Sequence, residues 1–208
     1  MADGNGPQVF TDAAWAVWEA LIEAVRQRGI ALGMVFIEGT SIRAHHKAAG
    51  AKKGGQQPTG DHREALGRPR GGWGTKACVI ADGSGRAIAF ALTPGQRHEL
   101  PMARDLLDRL PDVPGWVVGD RGLACDSLRE RIWEIGARPA IPPRRTDAPV
   151  ACPDWIYANP PLVENLWARV NKWRAVATRY EKTEGSFLGV LCLAATSDWL
   201  KSIRSNRA

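Results

Sequence analysis

Three carboxylates in this chain follow, or lie inside, apolar segments that could bring them to one place. Glu38 ends the run MVFIE, Asp120 ends the run WVVGD, and Glu164 lies within PLVENLWARVNKW. An acidic side chain one step past a buried strand stands at the rim of the sheet, where open α/β sheets bind their ligands. In the third segment Val163, Leu166, Val170 and Trp173 mark a packed helix face. Glu164, Ala168 and Asn171 form an adjacent stripe, because residues four and seven apart return to nearly the same direction. Converging carboxylates suit Mg²⁺ or Mn²⁺, which prefer oxygen ligands. Two such ions can activate a water or hydroxyl and hold the leaving oxygen of a phosphodiester. Asp82, in a turn, Asp126, at a helix start, Asp154 and Glu181, in RYEK, are weaker candidates. The competing reading of all of them is an ordinary solvated rim.

The elements that would position these groups are legible in outline. Residues 34–38 read as a buried strand, and residues 76–80 and 87–92 as two more, joined through Asp82-Gly83-Ser84-Gly85 as a hairpin. Residues 116–119 form a fourth strand, entered from Pro114-Gly115, and residues 137–141 a short fifth. Helices are expected over residues 11–28, 99–110 and about 161–173 from apolar positions on one face, over residues 127–135 between a possible Asp126 cap and Gly136, and over residues 185–203 from a mostly apolar run. This alternation predicts an α/β domain with a central mixed sheet flanked by helices. Residues 50–74 carry eight glycines and two prolines and read as a long flexible loop.

Charge is distributed unevenly along the 208 residues, whose net charge is +6. Residues 43–76 hold eight basic residues against two acidic, and residues 165–208 hold eight against three. The remaining stretches are net acidic. Two basic blocks around a more neutral middle suit a polyanion such as DNA or RNA, although basic loops can also be merely solubilising. Trp73, among the loop glycines, is a candidate for stacking on a splayed base. Trp15, Trp18, Trp133, Trp167 and Trp173 occur at helical spacings suited to packing.

Other chemistries lack support. Cys78, Cys125, Cys152 and Cys192 form no CxxC pair, and Cys78 and Cys192 lie in apolar segments. No glycine pattern matches a P-loop or a dinucleotide fingerprint, so no nucleotide cofactor is expected. His45-His46 and His98-Glu99 lack the HExxH spacing of a zinc hydrolase. No apolar run is long enough for a membrane span, and the start MADGNGPQV lacks a signal layout. A cytoplasmic protein without a membrane partner is the expectation.

The segments FIEGTSIRAHHKAAGAKKGG, LGRPRGGWGTKACVIADGSGRAIAFALTPGQRHEL, VVGDRG and VENLWARVNKWRAVATRYEKT resemble a bacterial insertion-sequence transposase of the DDE type. The likeness runs through roughly four fifths of the chain. It implies a ribonuclease H-like catalytic domain over residues 33–203, preceded by a helical remnant over residues 1–32 of a longer end-recognition region. It also implies two Mg²⁺ or Mn²⁺ ions on Glu38, Asp120 and Glu164. The activity implied is cleavage of double-stranded DNA at element ends and joining to a target, with self-association on DNA. Arg43, Lys47, Lys52, Lys53, Arg68, Arg70, Lys76, Arg121, Lys172 and Arg174 would meet the DNA, with His98 and Tyr157 beside the pocket. The chain departs from the family pattern at three positions: Glu38 replaces an Asp, Pro160 an Arg and Asn171 a Lys. Those departures also fit a catalytically weak or inactive DNA-binding remnant.

Overall fold

A computed structural model of the chain describes residues 16–24, 27, 32–49, 63–157 and 162–205. Six strands form one sheet: β1 (Met34–Ala44), β2 (Gly74–Asp82), β3 (Ala87–Pro94), β4 (Trp116–Gly119), β5 (Arg138–Ala140) and β6 (Thr178–Arg179). The longer helices are α1 (Leu100–Leu107), α2 (Asp126–Glu134), α3 (Leu162–Val170) and α4 (Glu184–Ser205). The strand order is β3-β2-β1-β4-β5, with β6 paired to β1 off this path. β2 is antiparallel to both its neighbours, whereas β4 and β6 run parallel to β1 and β5 runs parallel to β4. This mixed sheet with helices on both faces is a ribonuclease H-like fold.

Alternation along the central strands builds the two faces. Val35 and Ile37 of β1, with Cys78 and Ile80 of β2, pack on Met102, Leu106 and Leu107 of α1 and Leu128 and Ile132 of α2. The intervening residues Phe36, Ile42, Ala77, Val79 and Ala81 face Leu166, Trp167 and Val170 of α3 and Phe187, Leu188 and Leu191 of α4. β2 is buried along nearly its whole length, as expected of a strand covered on both sides. Trp18, in helical residues 16–24, joins the second cluster, its ring 6.0 Å from that of Phe90.

Several local expectations change in three dimensions. The first strand does not stop at Glu38 but continues to Ala44, because β2 pairs with it from Val35↔Asp82 to Arg43↔Gly74. The glycine-rich stretch is not one long loop from residue 50, since residues 63–65 form a helical turn and β2 begins at Gly74. Residues 50–62 lie outside the described residues. Trp133 and Trp173 do not pack inward; they are 59% and 41% exposed. Ile132 takes the buried side of α2, and the next residue is turned about 100° away. Asp82 builds its turn instead of a site: its carboxylate accepts from the Ser84 and Arg86 backbone N–H groups and from Arg86 Nε.

A buried arginine ties the segment entering β2 to the segment around β6. Arg179 is fully buried and donates to Thr75 Oγ1 at 2.6 Å, Ala65 O at 3.3 Å and Glu181 O at 3.0 Å. Burial pulls its pKa below the usual arginine value, against the nearby Glu64, Glu181 and Glu184. Glu64 and Ala65 adopt left-handed backbone at φ 70° and 46°. The Glu64 carboxylate then accepts from the Glu184 N–H at the start of α4, a capping interaction that satisfies an otherwise unpaired helix donor.

Candidate active site

The site is built on one edge of β1. β2 occupies the other edge throughout, so β4 and β6 must share this one. β4 pairs with residues 34–37 and β6 with residues 43–44. Between them, among the described residues, no strand pairs with residues 38–42. Glu38 is the first residue of that opening.

Register brings Asp120 to the same point. Ile37 pairs with Gly119 in the parallel ladder, so Glu38 and Asp120 each come one step later on strands that neighbour at roughly 4.8 Å. Phe36 and Val118 are paired and pack in one cluster. Two residues on from each, Glu38 and Asp120 therefore start from the same face of the sheet. That face is the one α3 covers, and α3 carries Glu164 in its first turn.

Glu38 is half-buried, while Asp120 and Glu164 are exposed. Burial first, then the charges of Glu164, Asp120 and Glu99, raise the Glu38 pKa from 4.5 to about 7. Asp120 and Glu164 are thus close enough for their charges to act on Glu38. Among the described residues, however, no three acidic, histidine or cysteine side chains are gathered closely enough to hold a metal ion. The Asp120 carboxylate is instead engaged locally, accepting from the Leu123 N–H at 3.2 Å and capping the turn Arg121–Leu123.

Glu99 is the acidic neighbour that the sequence pattern did not single out. It precedes α1 and stands over Gly39, where a Cβ would lie 2.7 Å from its Cδ. Its Oε1 pairs with Lys76 Nζ at 3.1 Å. Gly39 pairs with Cys78 and Ser41 with Lys76, which puts Lys76 and Glu99 on the α1 face, behind Glu38. The pKa of Cys78 in the same place is pushed up to about 12, by burial first and then by Glu99. The signal available beforehand was the adjacency of His98 and Glu99 to a helix start, which drew attention to the histidine alone.

The expected cations fall into groups. Arg43, Lys47, Arg68 and Arg70 are exposed around the far end of β1, and Arg121, Lys172 and Arg174 are exposed near the ends of β4 and α3. Lys76 is engaged by Glu99. His98 is exposed beside Glu99. Lys52, Lys53 and Pro160, together with the Tyr157 side chain, lie outside the described residues. Asn171 follows α3, its N–H donating to Trp167 O at 2.9 Å.

Comparison with known proteins now bears on this arrangement. Residues 30–150 match a family described as Transposase DDE domain, and residues 117–201 match a second family of the same description. A Brucella ovis protein assigned as transposase for insertion sequence element IS6501 is 30% identical over 131 residues, covering 61% of this chain and 98% of that relative. The chain belongs to the DDE transposase family, and within it to the insertion-sequence type.

Solved structures show more distant likeness. The Mos1 transposase paired-end complex with left transposon end has 15% identity and a TM-score of 0.35, covering 94% of this chain and 62% of that one. The piggyBac transposase synaptic complex with hairpin DNA has 11% identity and a TM-score of 0.43, covering 82% of this chain and 47% of that one. The chain therefore spans about three-fifths of the Mos1 chain and less than half of the piggyBac chain. With overlays this loose, the fold rests on strand order and on the family match. No described helix is long and apolar enough to cross a membrane.

Proposed function

We propose that this chain cleaves double-stranded DNA at the ends of an insertion element and joins those ends to a target. The supporting observation is the register of β1 and β4, which sets Glu38 beside Asp120 on the face that α3 covers, with Glu164 the largest charge acting on Glu38. Glu38, Asp120 and Glu164 would hold the Mg²⁺ or Mn²⁺ ions on which the family depends. Their donor chemistry fits hard divalent cations, and Glu38 has excess negative charge around it. Bound there, such ions supply activation of an attacking water or hydroxyl and neutralise charge on a leaving oxygen.

The exposed cations Arg43, Lys47, Arg68, Arg70, Arg121, Lys172 and Arg174 would bind phosphates, fixing the register of the DNA more than its sequence. Assembly of two ends would bring two copies of the chain together on DNA. A second reading, a DNA-binding remnant with little catalysis, is favoured by Glu38 in place of the family's Asp and by Pro160 and Asn171. The deciding experiment is strand cleavage of end-bearing DNA in Mg²⁺ or Mn²⁺ by the present chain and by Glu164→Gln. Cleavage that disappears in the variant, with DNA affinity retained, supports the enzyme. Absence of cleavage by both chains, with salt-dependent DNA binding, supports the remnant.

A further inference from the structure

Beyond Arg43 the chain builds a cluster of rings that the catalytic reading does not use. The His45 ring lies 3.9 Å from that of His46 and 4.8 Å from that of Tyr180, so three rings stand in a row with His45 in the middle. Three chain segments hold that row. The Ala44 N–H donates to Trp73 O at 2.9 Å, and the His45 N–H donates to Arg179 O at 2.8 Å. β6 pairs Ala44 with Arg179 directly. The fully buried Arg179 anchors this junction from beneath, so the row stands on a rigid base. His46 is exposed, and Tyr180 and Trp73 are 39% and 44% exposed.

Rings of this kind at a surface ordinarily pack inward or lie singly. Here three rings are gathered, His46 and Tyr180 of them exposed, the exposed Trp73 is joined to Ala44 through its carbonyl, and basic residues lie beside them. Arg43 and Lys47 flank the histidines, and Arg68 and Arg70 are on the turn that leads into Trp73. The acid beside the row, Glu181, is engaged by the Tyr180 N–H at 3.1 Å. Flat rings stack on nucleobases without regard to sequence, and neighbouring cations hold the phosphates between them. A fully paired duplex offers no free base face along its length. The complementary partner is therefore a strand with unpaired bases.

We infer that the His45–Tyr180 row and Trp73 form a stacking platform for unpaired nucleotides of a DNA strand. The inference rests on the DNA-directed reading above. Seven residues of strand separate Glu38 from His45, on the order of 23 Å. At about 3.4 Å per nucleotide along a strand, the platform would receive bases roughly six or seven nucleotides from a phosphate at Glu38. Bases would extend the row from the outer faces of Tyr180 or His46.

The test measures binding of the full chain, without metal, to two probes of equal length: a duplex, and the same duplex with a six-nucleotide unpaired gap carrying 2-aminopurine. The gapped probe should bind more tightly than the duplex, with quenching of 2-aminopurine. Tyr180→Leu and Trp73→Leu should each weaken gapped binding about tenfold and relieve quenching, leaving duplex binding unchanged. Tyr180→Phe should behave like the parent chain, which separates loss of a ring from loss of folding. Equal affinity of the parent chain for both probes, or gapped binding that Tyr180→Leu and Trp73→Leu leave intact, would overturn the platform. Loss of binding to both probes in both leucine variants would assign these rings to structure and overturn it too. Because no cleavage is read, a catalytically inactive chain does not affect the outcome, and a failed platform leaves the triad reading standing.

Discussion

Glu38 and Asp120 stand side by side because each directly follows a member of the last paired positions, Ile37 and Gly119, of two parallel strands. The pairing ends where the acids begin. The end of the ladder leaves an opening on that edge of β1, which β6 closes again at Arg43.

That crowding has a consequence for stability. The Glu38 pKa is raised from 4.5 to about 7, so between those values the folded chain keeps a proton that the unfolded chain has released. Stability therefore falls as pH rises through this window. Glu38→Gln should stabilise the chain by about 1–2 kcal/mol at pH 8, a figure reduced for solvent screening at a half-buried group. At pH 4.5 the gain should nearly vanish. Thermal melts of both chains at the two pH values check this, and an equal gain at both would contradict the assignment.

Gly39 leaves the space in which the Glu99 carboxylate lies. A Cβ there would meet the Glu99 carboxylate at 2.7–2.9 Å, and the carboxylate would have to leave Lys76. Gly39→Ala should cost at most about 1 kcal/mol, the worth of the Lys76 ion pair, because the displaced carboxylate is the flexible end of a partly exposed side chain. Adding Glu99→Ala should recover most of the loss, and a double-mutant cycle should show coupling above about 0.5 kcal/mol. Additive effects in urea denaturation would mean that the close approach is relieved at no cost.

Arg179 should be far less replaceable than a surface arginine. Arg179→Met keeps much of the apolar stem but takes the donor away from the carbonyls of Glu181 and Lys182, while Thr75 Oγ1 keeps its own hydrogen bond to Ala65 O. Buried polar groups left without partners cost about 1–3 kcal/mol each. A loss of about 3 kcal/mol is expected, read as a lower urea midpoint with an unchanged slope. A change below about 1 kcal/mol would show that the junction relaxes around the methionine.

Activity should respond to the three departures from the family pattern. Glu38→Asp withdraws the first carboxylate by roughly one bond length, and misplacement of about 1 Å can cost on the order of 100-fold in rate. With Pro160→Arg and Asn171→Lys added, cleavage of a preassembled end substrate in Mg²⁺ or Mn²⁺ should exceed that of the present chain by at least about tenfold. A further Glu164→Gln should abolish the gain while preserving DNA binding. Equal rates for the present chain and the triple variant, both lost with Glu164→Gln, would show that the departures are tolerated.

Local pattern was enough to read the sheet in outline. Apolar runs and the Asp82–Gly85 turn announced the β2–β3 hairpin, helical spacing announced α1 and α3, a cap and closing glycine α2, and an apolar run α4, because such signals act over a few residues. The acids at 38, 120 and 164 were legible for the same reason, each lying beside an apolar segment. Partnership across the chain was not legible. β1 extends six residues past Glu38 because β2 and β6 supply hydrogen-bond partners, and nothing in GTSIRA has the apolar pattern of a buried strand. Glu99 reached the underside of Gly39, and Tyr180 reached His45, through strand pairings and helix docking between residues 60 and 135 positions apart. Residue type and spacing along the chain determined which groups could do chemistry here. Register between distant strands decided which of them meet, since that choice is made by burial and hydrogen bonding across the whole sheet.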